Sequence, residues 1–193
     1  MRTIVLAVPV LLVLAACEQQ KPAQQQPQAP QPPAKTQTGG APFAYANVQT
    51  MPKAADGADG SGCLTDSGPL PDGIWFGFVR GWTATSVDLD PACWFTGPEA
   101  AAAATARNDE SPPPNDFFIA NDSKVVRTIP VPPNAKALRV THDKGGSIAN
   151  ENTTYADLVA NSGTYNQCPG DGCPVWVAVN GGAVTEVSMQ YLP

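Results

Sequence analysis

The sequence predicts an α+β domain: a small antiparallel, partly closed β-barrel with one or two short helices. Three observations predict it. Several short segments alternate apolar and polar residues with the period of two that a half-buried strand requires. One alanine-rich segment, Ala100 to Arg107, supplies strong helix formers. Near the C-terminus, Asn180-Gly181-Gly182 separates two alternating runs as a tight hairpin turn does. Glycine-bent strands joined by short hairpins suit closure, which favours a barrel over a flat sheet.

Between Ile74 and Trp82, residues Ile74, Phe76 and Phe78 share one face and Gly77, Val79 and Gly81 the other, the pattern of a strand. Val87 and Leu89 give the buried face of a second strand, with Asp88 and Asp90 on its wet face. Trp94 and Phe95 extend the aromatic cluster. Thr96-Gly97-Pro98-Glu99 fits a capping box, the Thr96 oxygen accepting from the first turn and Glu99 reaching back. The helix body follows, and Ser111-Pro112-Pro113-Pro114-Asn115-Asp116 ends it. Phe117 to Ile119, Val125 to Val131 and Ala137 to Thr141 read as strands separated by turn residues. Thr154 to Ala160 reads as a short helix. Val175, Val177 and Val179 set against Val187, Met189 and Tyr191 complete the C-terminal hairpin.

The N-terminus is of a different kind. Arg2 precedes an apolar run from Ile4 to Ala16 broken only by Pro9. That run falls short of the roughly 20 apolar residues a membrane-spanning helix needs, and a cation before a short apolar stretch is the pattern of an export signal. Leu14-Ala15-Ala16-Cys17 resembles the lipobox of bacterial lipoproteins. The resemblance implies diacylglycerol on the Cys17 sulfur, cleavage before it and an acyl chain on the freed amine. The plainer alternative is a secretory signal that happens to contain a cysteine. A single acyl chain holds only marginally, at roughly 0.8 kcal/mol per buried methylene, whereas two or three anchor durably. Glu18 stands where an Asp retains Gram-negative lipoproteins at the inner membrane, so a Gram-negative host would place the protein on the outer membrane, facing the periplasm.

Gln, Pro, Ala, Lys and Thr then dominate as far as Gly40, with no apolar periodicity to offset the entropy of ordering. The prolines bias this stretch toward polyproline II, a reach of roughly 60 Å over about 20 residues. A spacer is the simpler reading than a ligand for an aromatic groove. Asp56-Gly57-Ala58-Asp59-Gly60-Ser61-Gly62 lacks the alternate acids and terminal Glu of a calcium loop and reads as flexible linker. The expected organisation is a signal peptide over 1–16, a lipid-anchored tether over 17–62 and one domain over 63–193.

The chain carries 17 Asp and Glu against 11 Lys and Arg, a net charge of −6. That balance argues against nucleic acid, which is held by neutralising phosphates, and offers no basic patch to anionic lipid. Beyond Cys17, the four cysteines Cys63, Cys93, Cys168 and Cys173 read as two disulfides in an exported chain. Three pairings exist. The turn-rich loop from Cys168 to Cys173 favours closing on itself, leaving Cys63 to clamp onto Cys93. The rival is a four-thiolate zinc site, which the absence of C-x2-C half-sites disfavours.

Trp94-Phe95-Thr96-Gly97, Glu99-Ala100 with its alanine-rich helix, Pro113 to Ile119, Arg127-Thr128-Ile129-Pro130 and Tyr191-Leu192-Pro193 together resemble a set of small uncharacterised bacterial secreted proteins. The likeness spans Asp72 to Asn134 and Trp176 to Pro193 and does not include the cysteines. It implies an exported single domain and carries over no functional residue.

Chemistry is sparse. The only histidine, His142 in Thr141-His142-Asp143, has neither a Gly-x-Ser-x-Gly elbow nor histidine partners, so acyl transfer and a histidine-rich metal site lack support. Asp88 and Asp90 share a strand face near the ~5–9.5 Å separation of glycosidase carboxylates, but solvated acids are the simpler reading. Asn115-Asp116 and Asn121-Asp122 suit turns better than calcium. The aromatics Trp75, Trp82, Trp94, Phe117 and Phe118 are candidates for a carbohydrate or peptide groove, the three tryptophans foremost. No catalytic residue, metal or cofactor is assigned. The expectation is a non-enzymatic, lipid-anchored envelope protein that binds or stabilises another envelope component. The alternative is a small-ligand or glycan binder using exposed tryptophans.

Overall fold

The computed structural model describes residues 51–64, 66–142, 146, 148–161, 168 and 172–193. The export signal, Cys17 and the Gln/Pro-rich stretch lie outside the described residues, as do Asp143 and the side chain of His142.

The elements run β1 (Gly73–Trp82), β2 (Ser86–Thr96), α1 (Pro98–Ala106), β3 (Phe117–Ala120), β4 (Arg127–Pro130), β5 (Lys136–His142), β6 (Ile148–Thr154), α2 (Tyr155–Asn161), β7 (Cys173–Asn180) and β8 (Ala183–Met189). All eight strands join one sheet, in the order β3-β2-β1-β7-β8-β5-β6, with β4 also paired to β2. Only β5 and β8 run parallel. The α+β class is as expected, but the sheet is not closed: its path ends at β3 and β6, and among the described residues no ladder joins them. The Tyr155 ring of α2 lies 6.0 Å from Trp82 of β1, and its hydroxyl donates to the Ser86 carbonyl at 2.6 Å.

Both faces of the central strands are covered. Trp75, Val79, Val87, Leu89, Val175, Val177, Val187 and Leu158 of α2 pack on one side. Phe76, Phe78, Ala92, Trp94 and Trp176 pack on the other, joined by Met51. The alternation read from Ile74 to Trp82 is thus a choice between two buried faces. Double burial also explains why β7 carries so little polar surface. Each such Leu, Val or Phe contributes about 1.5–3 kcal/mol by leaving water. A third cluster seats α1: Ala100 and Ala103 meet Phe95, Ala120 and Ala58, the small side chains letting the helix lie close to the sheet. The β7–β8 hairpin turns through Gly181 and Gly182, with φ of 60° and 75°, and Asn180 pairs with Ala183. Glycine enters this left-handed region without a Cβ clash.

Three expectations need correction. First, residues 51–62 belong to the domain, which starts before Cys63. Met51 and Ala58 are buried, and the Asp59 amide donates to the Trp94 carbonyl at 2.7 Å. The Asp56 carboxylate accepts from the amides of Ala58 at 3.0 Å and Cys63 at 2.7 Å. Acids that resembled linker residues instead fold the backbone back on itself. Second, the capping box does not form: Gly97, with φ of 64°, is the N-cap, and no side chain caps the helix. The Thr96 hydroxyl donates to Asp59 at 2.9 Å and accepts from Lys53 at 3.0 Å, so tertiary partners displace the local one. Third, β6 was not anticipated. Ile148-Ala149-Asn150-Glu151-Asn152-Thr153-Thr154 is polar, and its pairing along the whole of β5 makes it a strand.

Candidate peptide-binding edge

The tryptophans do not gather into a groove. Trp75 and Trp94 are 6% and 3% exposed and lie in clusters on opposite faces of the sheet. Trp75 also donates its indole N–H to the Pro71 carbonyl at 2.8 Å, while Trp82 is half-buried against Tyr155. Core packing claims these large apolar surfaces first.

Most of the candidate acids are committed to the fold as well. Asp90 is not on a wet face. It is 1% exposed, and its Oδ2 accepts from Arg80 Nη2 at 2.6 Å, Arg80 Nε at 3.2 Å and Asn121 Nδ2 at 3.1 Å. The register shift between Val79 and Gly81 gives β1 an extra residue, and Arg80 is that residue. Asp88 accepts from the Thr128 hydroxyl at 2.6 Å. Asp122 pairs with Arg107 at 2.6 Å, a hydrogen bond that holds its carboxyl below the ordinary aspartate value. Asp116, with φ of 57°, shapes the turn before β3, and its amide donates to the Pro113 carbonyl at 3.3 Å. Among the described residues no three metal-ligating side chains cluster. The cysteines pair as Cys63–Cys93 and Cys168–Cys173.

What the fold does bring together is an apolar sheet edge. β3 pairs through Phe117–Ala120 with Cys93–Thr96 of β2 on one side only. Alternate N–H and C=O groups of an antiparallel strand point away from its partner, and among the described residues nothing pairs with the outer side of β3. The strand is firmly seated. Phe117 stacks on Trp94 with centroids 4.4 Å apart and planes 9° from parallel, and on the other face Phe118 lies 5.9 Å from the Arg107 guanidinium. Beside it is a cleft of about 290 Å³, lined by Pro113, Pro114, Phe117, Phe118 and Ile119 together with Asp109, Glu110 and Asn115. Farther along, in the segment joining β3 to β4, Val125 and Val126 are 38% and 45% exposed.

A larger cleft of about 510 Å³ lies where β5, β6 and α2 meet. Several of its polar groups already satisfy one another: Arg139 pairs with Glu151 at 2.8 Å, and Thr154 and Asp157 exchange hydrogen bonds at 2.8 and 3.1 Å. Among the described residues no aromatic side chain lines it, so it offers less to an apolar ligand.

Compared with known proteins, the chain matches no family model, no curated protein and no solved structure. The functional reading therefore rests on this chain's own geometry. Phe117 and Phe118 were legible as groove candidates; their place on an unpaired edge was not. The signal for it was present in the three prolines before β3 and the Asn121-Asp122-Ser123-Lys124 run after it, which isolate a short apolar strand as edges are isolated.

Proposed function

We propose that this protein is a lipid-anchored component of the bacterial cell envelope, held by acyl chains on Cys17, whose domain is a non-enzymatic module that binds another envelope protein. The observation that carries this reading is the edge at β3: an apolar strand whose outer backbone groups are unpaired among the described residues, beside a cleft with an apolar floor and acidic residues in its lining. Such edges invite the addition of a strand from a second protein. The two disulfides agree with residence outside the cytoplasm. The Gln-, Pro- and Ala-rich composition of the sequence after Cys17 suits a spacer between lipid anchor and domain. In a Gram-negative host, Glu18 favours the outer membrane, with the domain in the periplasm.

The test is site-specific photo-crosslinking in living cells. A crosslinking residue goes at exposed Ser123, just past β3, and a control at exposed Asn180, in the β7–β8 hairpin. One dominant protein adduct is expected from position 123, absent from position 180 and lost when Cys17→Ser removes the anchor. No reproducible adduct, or the same adducts from both positions, would overturn the reading.

A further inference from the structure

We infer that the occupant of the β3 edge is an extended protein segment in which apolar side chains alternate with lysine or arginine, added to β3 as a further strand. This rests on the interaction reading above and gives its partner a chemistry.

The choice of edge follows from what each strand end offers. β6, at the other end of the sheet, presents Asn150, Glu151 and Asn152 and runs directly into α2, and among the described residues the cleft beside it is lined by polar side chains, which seats an apolar strand less well. β4 ends in Pro130, which lacks the N–H a ladder needs. β3 has both requirements, unpaired backbone and half-buried Phe117, Phe118 and Ile119. An added strand sends alternate side chains to opposite faces. One set can settle on the cleft floor of Pro113, Pro114 and Phe117 while the other stays wet.

Charge selects the second set. Asp109 and Glu110 line the cleft and Asp116 sits in the turn that opens β3; all three are exposed, and among the described residues none is in an ion pair. Nearby Arg107 and Asp122 cancel each other, which leaves Lys124 as the only opposing charge in the segment after β3. The neighbourhood is acidic, as is the whole chain at −6. A second copy of this chain would set acid against acid across the new ladder, which is unfavourable. A basic strand would meet complementary charge and associate faster.

The experiment uses the full mature chain in detergent micelles with its disulfides intact. Three short synthetic peptides are titrated in: valine alternating with lysine, valine alternating with glutamate, and the valine–lysine peptide with a central proline. Amide chemical shifts and hydrogen exchange are followed by NMR. The valine–lysine peptide is expected to shift and protect the amides of Phe117–Ala120. It should bind about tenfold more tightly than the glutamate peptide and weaken as salt is added. The proline peptide should not bind. Replacing the exposed acids, Asp109→Asn with Glu110→Gln, should remove most of the lysine preference without disturbing the rest of the spectrum. Equal affinity for the lysine and glutamate peptides, shifts centred on β6, or a dimer joined through β3 would each overturn the inference. The two readings fail separately. A position-123 adduct without lysine preference removes only the partner's chemistry, whereas absence of any adduct removes the interaction itself.

Discussion

Asp90 occupies a sheet face shared with Phe78, Ala92 and Trp94, and the extra residue Arg80 is what makes a charge tolerable there. The guanidinium reaches the buried carboxylate while its own side chain stays 28% exposed, so the two ends of the pair should respond unequally to deletion. Arg80→Met strips its cation from a carboxylate that cannot reach water, an expected loss of about 3–4 kcal/mol. Asp90→Asn keeps an acceptor oxygen for Arg80 and removes only the charge, so it should cost less, about 1–2 kcal/mol. Urea unfolding of both variants measures this, and equal losses would mean that the pair does not hold the bulge. Tyr155 gives a pH prediction. Burial, with Asp88 acting in the same sense, pushes its phenol up to about 12 from 10.0, and only the neutral phenol can donate to Ser86. The folded chain therefore keeps a proton that the unfolded chain loses near pH 10. This group's stabilisation is complete below pH 10 and is lost as pH climbs toward 12. Tyr155→Phe should show a shallower alkaline decline in urea midpoint than the parent chain, and parallel declines would refute the linkage.

The β7–β8 hairpin shows how a turn disciplines an element. Gly181 holds a φ of 60° with nothing near a would-be Cβ, so any penalty for substitution comes from backbone conformation alone. Gly181→Asn should be nearly neutral, because Asn tolerates the left-handed region, while Gly181→Val should cost about 1–2 kcal/mol. Thermal unfolding of the two variants checks this, and similar midpoints would show that the turn does not set the register. This hairpin was legible in the sequence because local pattern and turn chemistry agree. So was β1, whose alternation sorts Phe76 and Phe78 from Trp75 and Val79. Elements decided by distant partners were not. β6 is a strand because β5 pairs with it, and Asp56 folds a loop that by composition passes for linker. The β3 edge was half legible. Its phenylalanines announced an apolar site, but only the pairing order reveals that the strand has one neighbour.

Across the whole molecule, the two disulfides close loops of very different length and should matter unequally. Cys63–Cys93 spans 30 residues and Cys168–Cys173 spans 5. Loop-closure entropy in the unfolded chain assigns them about 3.5 and about 2 kcal/mol. A domain of ordinary stability has only about 5–15 kcal/mol in total, so losing the longer link alone removes a large share. That link also has a local task. It fastens the segment carrying Met51, Ala58 and Asp59 to β2 at Cys93, the residue paired with Ala120 of β3. The Cys63→Ser, Cys93→Ser double variant should therefore lose about 3.5 kcal/mol and also speed amide exchange at Phe117–Ala120 beyond the rest of the sheet. The Cys168→Ser, Cys173→Ser variant should lose about 2 kcal/mol and leave β3 exchange in step with the remainder. Urea unfolding and native-state exchange on the same samples decide it. If both variants lost the same stability, or if β3 loosened no more than its neighbours, the longer disulfide would be a general staple and not the support of the edge.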